Sequence, residues 1–212
     1  MNTPSLTAAL SLAAALALSR PMPGQDPRLG ARLDPETRAR VAAIIDSAHT
    51  AGLPVEPLVD KALEGASKRA TGDRIVVAVR NLAAELGTAR QALGVAYTGT
   101  ELDAGASALH VGVRPADLAR LRDARRRQEL TVPLAVLSDL VARGVPADSA
   151  TAFVLRLARS ARDAQFVAFQ RDVDRDIALG APPLAAAAVR VNVTVREGLG
   201  QASDPTQPPR KP

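Results

Sequence analysis

Four short punctuation marks constrain this chain more than any other feature: Gly52-Leu53-Pro54, Gly144-Val145-Pro146 and Gly180-Ala181-Pro182 share one form, and Gly112-Val113-Arg114-Pro115 differs by one inserted residue. Glycine suits the left-handed backbone just past a helix end. Proline suits the first turn of the next helix, where its missing N–H would have found no partner. Each mark therefore reads as stop, turn and start. With so few residues between stop and start, consecutive helices must fold back or corner sharply on each other.

The segments between the marks carry helical periodicity. Asp34-Pro35-Glu36 supplies an N-cap, a first-turn proline and an acidic first turn, after which Val41, Ile44, Ile45 and Ala48 share one face up to the stop at Gly52. Leu58, Val59, Ala62, Leu63 and Ala66 continue the pattern, and residues 71–86 repeat it with Ile75, Val79, Leu82 and Leu86. Thr100-Glu101-Leu102-Asp103 resembles a capping box and opens a short helix that ends at Gly112. Further helices are expected over 115–129, 133–143, 146–161, 163–179 and 183–196. In the last of these, Val189, Val191, Val193 and Val195 alternate with polar residues as a strand would. A lone strand would have no partner, and the preceding LAAAA run favours helix.

The expected fold class is all-α, with about eight or nine short helices joined by Gly-x-Pro turns, as an irregular bundle or a short solenoid of helical hairpins. The spacing between marks is uneven, which speaks against a strict fixed-period repeat.

The ends of the chain differ from its middle. Residues 6–18 form an uncharged run, LTAALSLAAALAL, followed by Ser19, Arg20 and Pro21, which matches the apolar core of a secretory signal. No Lys or Arg precedes the run, so the α-amino group alone supplies its positive start. Spanning a bilayer needs about 20 residues, so cleavage near Ala17 or Ser19 is expected in preference to a retained membrane anchor. Residues 1–19 are read as a signal peptide and 20–33, with three prolines and two glycines, as a linker. Residues 34–197 are read as one helical domain. The tail, 198–212, has four prolines and almost no large apolar residue, so it is expected to be disordered. The expected location is secreted or periplasmic.

Composition narrows the chemistry. The chain has no cysteine, which excludes disulfides, thiolate zinc sites, iron–sulfur clusters and a lipidated N-terminal cysteine. Aromatics make up only 2%, so a core of small side chains and modest stability is expected. The two histidines, His49 and His110, each fall within three residues of a helix-ending glycine, where the negative end of the helix dipole favours them. Asp172, Asp174 and Asp176 begin like a calcium loop, but Ile177 and Pro183 stand where Gly and Glu are required. They read instead as a solvated face with Arg171 and Arg175 as local partners. Glu101 and Asp103 fall in a first helical turn, where acids favour the dipole in any case. No serine lies in a GxSxG context and no glycine-rich phosphate loop is present. No catalytic, metal or cofactor site is therefore expected.

Arginine is the one feature above background. The chain carries a formal charge of +5, and Arg120, Arg122, Arg125, Arg126 and Arg127 crowd one expected helix. Leu118, Leu121 and Ala124 keep a narrow inward face there. Solvated surface is the plain reading, and contact with an anionic lipid, envelope polymer or acidic protein is the sharper one. Nucleic acid is disfavoured because no aromatics are interleaved for base stacking. The expected function is that of an exported helical interaction protein binding a protein or an anionic envelope component. The alternative is an envelope enzyme whose acids and histidines converge only in three dimensions.

Overall fold

The turns decide the architecture. In the computed structural model, which describes residues 26–94 and 97–202, the glycines of all four marks take positive φ: 72° at Gly52 and 96° at Gly112, Gly144 and Gly180. After each one the next N–H reaches back across the helix end, from Leu53 to Ala48, Val113 to Ala108, Val145 to Leu140 and Ala181 to Asp176. This closure satisfies the last helical carbonyls and requires a left-handed residue at its centre.

The described residues form ten helices and no strand: α1 (Pro27–Gly30), α2 (Pro35–Thr50), α3 (Glu56–Ser67), α4 (Gly72–Leu93), α5 (Gly99–His110), α6 (Pro115–Ala124), α7 (Thr131–Ala142), α8 (Ala147–Ala158), α9 (Asp163–Ala178) and α10 (Pro183–Ala202). The all-α class follows directly. The four marks bend α2 into α3, α5 into α6, α7 into α8 and α9 into α10. Each is thus a corner between consecutive helices, and α7 with α8 and α9 with α10 fold back on each other as hairpins. Their uneven spacing arises because α4, 22 residues long, is inserted between the first corner and the second.

α4 packs against α2, α3, α5 and α6. From there α5, α7 and α9 stack in one row and α6, α8 and α10 in the other, while α7 also packs on α8 and α9 on α10. Of the two expected arrangements, an all-α bundle of short helices fits the described residues. One core runs its length, from Leu29 in α1 to Val191 in α10, with Phe166 and Phe169 as its largest fully buried side chains. Each such Leu or Phe contributes roughly 1.5–3 kcal/mol by leaving water. Gly105 lets α5 lie close on its neighbours, since a Cβ there would stand 3.1 Å from Ala89 Cβ, 3.2 Å from Leu118 Cδ2 and 3.3 Å from Leu93 Cδ1.

Local expectations hold unevenly. Asp34 caps α2 by accepting from Thr37 N at 2.9 Å. The valine-alternating segment is helical, within α10. Pro115 and Pro183 open α6 and α10, whereas Pro146 is the N-cap of α8 and Pro54 lies two residues ahead of α3. The capping box of α5 is formed two residues earlier than expected, by Thr98 and Glu101. That pair has glutamate as its fourth member, which reaches back to the backbone better than aspartate does.

α6 ends at Ala124, not at Glu129, because Arg125 turns out of helical geometry. The expected linker extends too far, since Leu29 is fully buried and Leu33 nearly so. α10 runs five residues past Glu197 into the expected tail, to Ala202. The expected signal segment, 1–19, and the tail beyond Ala202 lie outside the described residues.

Candidate functional site

Shortening α6 disperses the arginine cluster. Arg120 and Arg122 remain on the helix, Arg125 is its C-cap, and Arg126 and Arg127 fall in the turn toward α7. Arg125 is 4% exposed. Its guanidinium lies 5.4 Å from the centroid of the Phe166 ring and donates to Asp163 at 2.9 Å and to Gln128 at 2.8 Å. Such stacking suits guanidinium, a flat and weakly hydrated cation. Arg122 donates to Glu101 at 2.7 Å and to the Gln128 carbonyl at 3.2 Å. Arg120 pairs with buried Asp117, and Arg126 with exposed Asp123. Among the described residues only Arg127 of the five is exposed with no ion pair. Arg125 is therefore unavailable to an outside surface, and Arg122 is held by an internal carboxylate.

Glu101 was the less obvious member of this network. It is 3% exposed, closes the capping box with Thr98, and accepts from Leu130 N as well as from Arg122. One carboxylate thereby fastens the start of α5, the end of α6 and the start of α7. The spacing Thr98-x-x-Glu101 was the signal that could have found it.

The aspartates of α9 also reach beyond their own helix. Asp172 pairs with Arg175 as expected, but Asp174 pairs with Arg143 at the end of α7 at 2.6 Å. Asp176 takes both prongs of Arg190 on α10 at 2.6 Å. That fork holds the Asp176 carboxyl below its ordinary range. These are clamps between stacked helices, where a purely solvated face was expected.

A groove of about 1370 Å³ is formed by α3, α4, α5 and α7. Its floor is the outer face of α4, where Val77, 49% exposed, lies with Ala78 and Leu82. Most of its lining is apolar, and Val111 and Ala135 extend it. Its walls carry seven carboxylates against Lys61, Arg74 and His110, although the chain as a whole is basic. Successive turns of α3 place Glu56, Asp60 and Glu64 along one wall, and Asp103, Ser107 and His110 share the facing side of α5.

Most of these acids already hold a cation. Glu56 takes Arg28 at 2.8 Å, and Asp73 takes Arg40 at 2.7 Å. Glu64 binds Lys61 and Lys68, which together lower its pKa to about 2. Glu85 meets His110 Nδ1 at 3.0 Å, and Asp139 meets Arg143 at 2.7 Å. Two acids differ. Asp60 has only the distant Arg28, at 3.9 Å, and Asp103 has no hydrogen bond or ion pair among the described residues. The Asp103 carboxyl is open to solvent inside the groove, yet the surrounding protein desolvates it and raises its pKa, with the Asp60 carboxylate adding to the rise.

Both histidines occupy last helical turns, His49 in α2 and His110 in α5, and only His110 lines the groove. Among the described residues no three His, Asp or Glu side chains are placed to hold a metal, and no helix is long and apolar enough to cross a membrane. Comparison with known protein families, with curated proteins and with solved structures returns no match.

Proposed function

We propose that this chain is an exported, non-enzymatic interaction protein, and that the groove across α3, α4, α5 and α7 is where its partner docks. The observation that carries this reading is the apolar floor of α4, left open in a concavity of about 1370 Å³. Val77 is half exposed there, while its neighbours Val76 and Val79 are fully buried. Stacked hairpins generate extended concave surfaces of this kind, and a partner that covers the floor removes apolar area from water.

A photo-crosslinking side chain at Val77, introduced in the native host, should label a discrete partner. The same side chain at Val189, exposed on α10 away from the groove, should not. Equal labelling at both positions would overturn the groove assignment. Export rests on the apolar run at 6–18, and the mass of the mature N-terminus tests it. An intact Met1 on the native protein would remove that part of the proposal.

The second reading, acid–histidine catalysis, draws on one pair, His110 and Glu85. Ser107 lines the same wall one turn earlier but makes no hydrogen bond to His110. A carboxylate-oriented histidine without a bonded nucleophile is half of a hydrolytic site. Ester turnover abolished by His110→Ala would favour this reading over docking.

A further inference from the structure

The groove's charge identifies what kind of partner it takes. Four of its seven carboxylates are neutralised by the chain's own lysines and arginines and Glu85 bonds to His110, which leaves Asp60 on α3 and Asp103 on α5 as the acids without a close partner. Both line the same groove, where the Asp60 carboxylate adds to the desolvation that disfavours ionisation of Asp103. An ammonium or guanidinium seated between them would relieve that repulsion.

The rim already shows the same chemistry with an internal cation. Arg28 on α1 crosses to α3 and is held by Asp26 at 2.7 Å, by Glu56 at 2.8 Å and, at the limit of an ion pair, by Asp60 at 3.9 Å. The contrast with the rest of the molecule adds direction. A chain of net charge +5 disfavours a basic partner overall, and the concentration of carboxylates in the groove offsets that locally, which favours docking there.

We propose, building on the docking reading above, that the groove binds a polypeptide segment in which a lysine or arginine stands among apolar residues. The cationic side chain enters between Asp60 and Asp103, and the apolar ones cover Val77, Ala78 and Leu82. Size favours a peptide over a small amine. Small-molecule sites run to roughly 300–1,000 Å³, and this groove is larger, open, and apolar along its floor.

The probe is a capped decapeptide of alternating lysine and leucine, with three comparators: its glutamate–leucine and lysine–serine counterparts, and spermine. Binding to the full chain is followed by fluorescence anisotropy at low and at physiological salt. The lysine–leucine peptide should bind best and weaken as salt rises, because the groove is open and its charges are screened over about 8–10 Å. The double change Asp60→Asn and Asp103→Asn should weaken it by about fivefold to tenfold. The same loss of charge at Asp123 and Asp148, both well exposed and outside the groove, should change it by less than about twofold. The Asn variants remove exposed carboxylates, so an unchanged helical circular-dichroism signal shows that any loss belongs to the groove.

Equal binding of the lysine and glutamate peptides, or full binding by the Asp60/Asp103 variant, overturns the cation assignment. Spermine matching the peptide overturns the peptide assignment. The docking reading fails separately, if Val77→Arg leaves the binding of every probe unchanged.

Discussion

The Arg125 guanidinium lies 5.4 Å above the Phe166 ring and bonds to Asp163, which ties the turn after α6 to the start of α9. An arginine that reads in the sequence as one of a solvated row is thus a core residue. Arg125→Gln removes the stacking and the ion pair and leaves Phe166 partly uncovered. Asp163 is half exposed and can rehydrate, so the loss is expected to be about 1–3 kcal/mol and not the larger penalty of a stranded buried charge. Arg127→Gln, two residues along the same turn and exposed, should change stability by less than about 0.5 kcal/mol. Urea melts of the two single variants check this, and equal midpoints would refute the assignment.

Glu101 makes a harsher demand. Its buried carboxylate satisfies Thr98 N, Leu130 N and Arg122 together. Glu101→Gln keeps the shape but removes the charge opposite Arg122 and forces an amide group toward one of those donors. A loss of about 2–4 kcal/mol is expected. Hydrogen exchange should show the opening first at the starts of α5 and α7, and a global loss with no local preference would argue against the fastening role.

The turn grammar made the hairpins legible, since Gly-x-Pro marks both the helix stop and the bend, and each effect acts within a few residues. The same locality explains the failures. Arg125 to Glu129 are compatible with helix, and it is Phe166 and Asp163, about 40 residues away in sequence, that join Gln128 in holding Arg125 inward. Likewise Asp174 and Asp176 look solvated until stacking brings Arg143 and Arg190 opposite them. The groove was illegible for the same reason. Its walls come from four helices, and Asp60 and Asp103 line one groove only because α3 and α5 both flank α4.

Two glycines should respond with opposite sign. Gly144 closes α7 at φ 96°, a conformation in which a branched side chain is strained, so Gly144→Val should destabilise by about 1–2 kcal/mol. Gly87 lies inside α4 with nothing within 4 Å of an added Cβ. There Gly87→Ala should stabilise by about 0.5–1 kcal/mol, because alanine favours the helix and restricts the unfolded chain. Thermal melts read both changes, and a shift of the same sign in each would contradict the placement of the two residues.

Acid should act on the groove in two opposed ways. Glu64 is depressed from 4.5 to about 2 by Lys61 and then Lys68, so its contribution to stability is full above 4.5 and is lost as pH falls toward 2. Its side chain is 43% exposed, so screening keeps that contribution small, and 1 M salt should nearly erase it. Asp103 runs the other way. Its pKa is raised above 3.8, chiefly by desolvation and then by Asp60, so the folded chain takes up this proton more readily than the unfolded one. Falling pH therefore relieves a penalty at Asp103, beginning at its raised folded pKa and ending near 3.8. Carboxyl-carbon NMR titration should give Asp103 a midpoint above 3.8 that drops in Asp60→Asn without reaching the ordinary value, since desolvation remains. A midpoint unmoved by Asp60→Asn would mean that the two carboxylates do not face each other across the groove. The addition of a groove-bound cation should lower the same midpoint, because a bound positive charge favours the ionised form of Asp103.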